Sequence, residues 1–131
     1  MTPTELVKGL YEDCLNPRRL DRLPEYLSAT FVGANGEQGP QGFAQTVERM
    51  ITAFPELQFE LEDIFAADDK VCVRWRFEAA HKGPLSGIAP TGKVAVQHGI
   101  AIYRAENGKL AQAWLQVDRF GVLQQLGAIK L

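Results

Sequence analysis

Leu57-Gln58-Phe59-Glu60-Leu61-Glu62 alternates apolar with polar side chains, and beyond Asp68-Asp69 the pattern resumes, with Val71, Val73, Trp75 and Phe77 separated by Cys72, Arg74, Arg76 and Glu78. A period of two puts alternate side chains on opposite faces of an extended strand, so these stretches read as two strands joined by a turn at Asp68-Asp69. The pattern begins just after Pro55. Upstream the apolar residues recur at steps of three and four instead.

Leu6, Val7, Leu10, Tyr11, Cys14 and Leu15 describe a first helix, opened by Thr2, Pro3 and Thr4 and stopped at Asn16-Pro17. A short second helix is expected over Leu20–Leu27. The run from Gly33 to Gly42, which holds Asn35-Gly36 and Gly39-Pro40, reads as a loop. A third helix carries Phe43, Val47, Met50, Ile51 and Phe54 and ends at Pro55.

Downstream, a loop from His81 to Thr91 leads into a third strand over Lys93–Arg104. Val94, Val96, Ile100 and Ile102 fall on one of its faces, and Ala95, Ala101 and Tyr103 on the other, which suggests cover from both sides. Asn107-Gly108 supplies the positive φ angles of a tight hairpin, so Leu110–Asp118 is the return strand. An amphipathic segment, Phe120–Leu126, follows.

Helices first and an antiparallel meander after them specify an α+β fold, with N-terminal helices packed on a curved antiparallel sheet around an internal pocket. At 131 residues the chain is expected to form one domain over 1–131. A formal net charge of −2, with no cluster of basic residues, speaks against a nucleic-acid partner. No apolar stretch has the length of a membrane span and residues 1–8 lack a signal-peptide layout, so a cytoplasmic location is expected. Cys14 and Cys72 show no metal or redox spacing, and the two histidines, His81 and His98, lie apart from any carboxylate at ligand spacing. Neither a metal nor a cofactor is expected. The chain also lacks a nucleophile elbow, a P-loop and a GxGxxG fingerprint.

Three pieces in order, Pro90-Thr91-Gly92-Lys93, Glu106-Asn107-Gly108-Lys109 and Leu123-Gln124-Gln125-Leu126-Gly127, together with Trp114-x-x-x-Asp118, resemble the SnoaL-like polyketide cyclases. The resemblance implies a cone-shaped fold shared with nuclear transport factor and ketosteroid isomerase, and a homodimer formed through the outer sheet face. It also implies a cofactor-free intramolecular aldol closure in which a cavity carboxylate acts as acid and base. The position matching that carboxylate is Asp118.

Two readings of Asp118 stand. On the strand face of Trp114 and Gln116 it reaches the cavity if they do, and burial there would raise its pKa into a useful range; alternatively it caps the helix that follows. His98 shares the parity of Val94, Val96, Ile100 and Ile102, which looks inward-facing, and joins Asp118 on one face only if the hairpin carries a bulged residue. His81 stands either at the cavity mouth or exposed in its loop. Trp75, Trp114, Phe59, Phe77, Ile100 and Gln116 are the expected lining for a small apolar or aromatic molecule. Arg74 and Arg76 should face outward and pair with Glu60 and Glu62. The functional alternatives are a cyclase or isomerase using Asp118 and His98, and a dimeric module that binds a small ligand without reaction.

Overall fold

In a computed structural model, which describes residues 1–129, the chain opens with helix α1 over Pro3–Gly9. Its start is a reciprocal cap. Thr2 Oγ1 accepts from the Glu5 amide at 3.1 Å, and a Glu5 carboxylate oxygen accepts from the Thr2 amide at 2.9 Å. The helix widens into a π-helical turn over Leu10–Leu15, where the Asn16 amide reaches the Tyr11 carbonyl five residues back. Arg18, at φ 64°, then latches this end to the rest of the chain by donating to the carbonyls of Pro55 and Leu57.

The segment expected as a second helix is a 3-10 helix over Leu20–Glu25, and Pro24 inside it prevents continuation. Directly after it comes strand β1, Leu27–Val32, which the sequence reading lacked because Ser-Ala-Thr between Leu27 and Phe31 carries no clear alternation. Helix α2 spans Gly39–Ala53, starting four residues earlier than expected. Strands β2 (Glu60–Ala67), β3 (Lys70–Ala80), β4 (Val94–Glu106) and β5 (Lys109–Val117) follow, and helix α3 covers Arg119–Gln125.

The sheet order is β1-β5-β4-β3-β2. Strands β2 to β5 form the expected antiparallel meander, while β1 pairs parallel with β5, so the sheet is mixed. The α+β class holds, with helices on one face of a five-stranded sheet. The hairpin is as expected: Glu106 faces Lys109, and Asn107 and Gly108 take φ 52° and 78°. Behind it, Arg104 pairs with Gln112 but Ala105 with Leu110, so one residue of β5 is bulged.

The core lies between α1 and the inner sheet face. Leu6, Val7, Leu10 and Cys14 from the helix meet Val71, Val73 and Phe77 from β3, all nearly inaccessible to solvent. On β4 the expected orientation is reversed. Ala95, Gly99, Ala101 and Tyr103 point inward, and Val94, Ile100 and Ile102 are exposed on the outer face. The larger aliphatics suggested burial, but the helical side needs small residues there to leave space. The outer face also carries Arg74, paired with Glu62 and Asp63, and Arg76, paired with Glu60, as expected.

Candidate functional site

Between the π-helical turn, α2, α3 and the inner sheet face lies a cavity of about 910 Å³. Its size is within the range of pockets that take drug-sized molecules. Tyr11 and Leu15 enter it from the first helical segment, and Phe43, Val47 and Met50 from α2. Ala101 and Ala113 are the neighbouring inward positions on β4 and β5, and their short side chains leave the volume open. Phe59 and Trp75 form an aromatic wall, with ring centroids 4.9 Å apart and planes at 90°. The indole lies directly over Gly99, its partner on β4, where a β-carbon would overlap the ring.

The main buried polar feature of this wall is a pair of phenols. The hydroxyls of Tyr11 and Tyr103 are 2.7 Å apart and buried. Burial holds the Tyr11 phenol well above its ordinary range, with the neighbouring Tyr103 adding to the effect; burial likewise pushes Tyr103 up to about 12. Both are therefore neutral at physiological pH and able to donate. Trp75 Nε1 is buried beside them and makes no hydrogen bond among the described residues. Charged groups occur nearer the rim, where Glu37, Glu48 and Arg49 border the opening. Glu37 is held in place, with one oxygen accepting from the Asn35 amide and the other from the Thr46 hydroxyl.

Of the expected lining residues, Phe59 and Trp75 border the cavity. Phe77 does not; it lies behind them in the core, stacked on Trp75 at 6.2 Å and against Phe54 at 5.3 Å. Trp114, Gln116 and Ile100 are on the outer face, the first and last 43% and 50% exposed. This corrects their expected inward orientation. The physical reason is the reversed face of β4, to which β5 is registered residue by residue, Ile100 opposite Gln116 and Ile102 opposite Trp114.

His98 and Asp118 do share a face, because the hairpin carries the bulge, but that face is the outer one. The Asp118 amide donates to the His98 carbonyl at 3.1 Å, and both side chains are exposed. Asp118 is the N-cap of α3, its Oδ1 accepting from the Gly121 amide at 2.9 Å. The expected cavity-facing placement of both residues is thus corrected, and of the two readings of Asp118 the structure displays the capping geometry. Such a cap stabilises a helix by roughly 1 kcal/mol.

His81 is neither exposed nor at the mouth. It is wholly buried at the base of the loop leading to β4, where Nδ1 accepts from the Thr91 amide at 3.1 Å, so the ring proton sits on Nε2. The loop is pinned further by Lys82 and Gly83, whose amides donate to the Ala53 carbonyl at the end of α2. His81 thereby positions Pro84, Leu85 and Ser86, which do border the cavity.

The sequence reading missed Tyr11, taken as one more apolar position of a helix, and Tyr103, assigned to the less apolar face of β4. The signal that points to Tyr103 is the series Ala95, Gly99, Ala101 on its face of the strand; nothing in the sequence marks Tyr11 in the same way. A strand face of small residues is one that leaves room. Among the described residues no cluster of three potential ligands could hold a metal ion, and no helix is long and apolar enough to cross a membrane.

The family model of the SnoaL-like polyketide cyclases matches residues 5–126. Among solved structures, TsrD from Streptomyces laurentii is 27% identical, with a TM-score of 0.84, covering 97% of this chain and 93% of its own. AclR from Streptomyces galilaeus, described as a candidate hydroxylase, is 25% identical with a TM-score of 0.85, covering 98% and 83%. A SnoaL-like polyketide cyclase from Agrobacterium tumefaciens, at 20% identity and a TM-score of 0.84 over 97% and 99% of the two chains, shares the fold. A comparison with curated proteins gave no match.

Proposed function

Because the chain belongs to the SnoaL-like polyketide cyclase family, we propose that its cavity holds a bulky, mostly apolar small molecule of the aromatic, carbonyl-bearing kind, without a cofactor. The observation that carries this reading is the 910 Å³ space walled by Phe59, Trp75, Phe43 and Met50, with the two phenols at one side. Apolar walls supply the affinity and a few convergent polar groups set the orientation. Binding without reaction is the first reading, since no histidine borders the cavity and its carboxylates, Glu37 and Glu48, lie near the rim.

In protein carrying Trp114→Phe, Trp75 is the only tryptophan left to report on the cavity. Titration with 2-acetylnaphthalene is expected to quench it saturably, and the probe should be recovered unchanged. Absence of binding would remove the cavity reading.

The family name favours a second reading, a cofactor-free cyclase. The names of the similar structures span a cyclase and a candidate hydroxylase, so the family alone does not single out one reaction. Recovery of converted probe would favour this reading over simple binding.

The outer sheet face is proposed as a homodimer surface. Phe65, Ile100, Ile102 and Trp114 expose apolar area there, beside the arginine–carboxylate pairs. Light scattering is expected to give twice the chain mass; a monomer at tens of micromolar would dismiss the surface.

A further inference from the structure

Strand β4 begins at Val94, but β5 pairs with it only from Gly99, which faces Val117. Past that point the chain turns into α3, and the Asp118 amide makes the last backbone bond to β4, at the His98 carbonyl. In an antiparallel ladder the polar groups of alternate residues face the same neighbour, so Val96 offers an amide and a carbonyl on an edge that β5 no longer covers. Gln125 takes that place. Its Oε1 accepts from the Val96 amide at 2.7 Å, and its Nε2 donates to the Val96 carbonyl at 2.9 Å. A backbone amide only donates and a carbonyl only accepts, so the orientation of this side chain is fixed. One primary amide thereby stands in for a peptide unit of the missing strand.

Val122 and Leu123 of α3 form part of the cavity wall. The other helical walls are tied firmly to the loops around them. Asn16, after the π-helical turn, exchanges bonds with both the amide and the carbonyl of Phe59, and α2 ends at Ala53, whose carbonyl takes the Lys82 and Gly83 amides. Beyond Asp118, the hydrogen bonds of α3 to the rest of the chain, among the described residues, are the two of Gln125. Gln125 is exposed, so water competes for both and each contributes little. A wall held by the chain at one end and by two exposed bonds at the other is the wall that swings out at least cost.

We infer that α3 is the movable wall through which a ligand enters and leaves the cavity, turning about Asp118, and that the Gln125 amide is its latch on Val96. This rests on the cavity reading above and specifies how that cavity opens. Gln125 does not itself border the cavity; it is a positioning residue, acting through Val122 and Leu123. Such a latch governs rates and leaves affinity alone. Entry and exit pass through the same open state, so easier opening speeds both by one factor, and the dissociation constant, their ratio, does not move.

The test is stopped-flow fluorescence of Trp75 with 2-acetylnaphthalene, taking protein with Trp114→Phe as the parent. Adding Gln125→Ala should raise the association and dissociation rates together, each about tenfold, as expected when two solvent-exposed hydrogen bonds are lost. The dissociation constant should stay that of the parent. Gln125→Glu keeps the length of the side chain but, as a carboxylate, has no proton for the Val96 carbonyl. It should match Gln125→Ala at neutral pH and return towards the parent at about pH 4, where a carboxyl regains its proton, each compared with the parent at the same pH. Unchanged rates in Gln125→Ala, faster dissociation alone with a matching loss of affinity, or no recovery of Gln125→Glu in acid overturns the latch and leaves the cavity reading intact. A parent that binds no ketone overturns both.

Discussion

Gly99→Ala is expected to lower the unfolding free energy by about 1–3 kcal/mol, the usual cost of forcing added volume into a packed site. The new β-carbon would overlap the six-membered ring of Trp75, which lies flat on the β4 backbone at that residue. The backbone of Gly99 has no positive φ, so the effect is purely one of space. The indole must tilt away from the sheet, and the space it tilts into is the cavity. At about 1.4 kcal/mol per factor of ten, a ligand that must reverse this tilt to enter is expected to bind roughly 5- to 150-fold more weakly. Chemical denaturation and equilibrium dialysis with 2-acetylnaphthalene read the two effects separately. Because the cause is one contact, Trp75→Phe should rescue much of the stability loss in the double variant. Additive losses, with no rescue, would show that the glycine matters for another reason.

Phe77→Ala should have the larger effect on stability, about 3–5 kcal/mol, as found when a fully buried phenylalanine is truncated. Phe77 is inaccessible to solvent and is held by Phe54, Phe59 and Trp75 at centroid distances of 5.3, 5.9 and 6.2 Å. It lies behind the aromatic wall, so its removal leaves a void under Phe59 and Trp75, and a relaxed wall will also bind ligand less well. The midpoint of urea unfolding reports the change directly, provided the slope is unaltered. A loss below about 1 kcal/mol would mean that the site collapses almost completely, against the expectation for an aromatic core position.

Both predictions concern residues whose identity was plain in the sequence but whose roles were only half legible. Alternation in β3 was read correctly, because a strand packed on one side by helices and facing outward on the other displays its two faces in its composition. Trp75 and Phe77 accordingly sit inward, and Arg74 and Arg76 outward beside Glu62 and Glu60. In β4 the same logic failed. Val94, Val96, Ile100 and Ile102 outweigh Ala95, Gly99 and Ala101 in hydrophobicity, yet they point away from the helices. A face that walls a cavity is selected for small side chains, and an outer face with apolar character of its own can exceed it in hydrophobicity.

From the order of its residues alone, this chain was bound to form an α+β domain. Helical spacing before Pro55, alternation after it and the Asn107-Gly108 turn are local features, and local backbone preferences act without knowledge of the rest of the fold. Which side of β4 faces the helices, whether the bulge brings His98 and Asp118 onto one face, and that Tyr11 meets Tyr103 across 92 residues were decided only by tertiary packing. Register and burial depend on the joint packing of the sheet and the helical segments, so a strand of mixed apolar content leaves its own orientation open. The same holds for Asp118. Its side chain answers to the nearest unsatisfied amide, that of Gly121, and only the completed sheet determines that this bond lies outside the cavity.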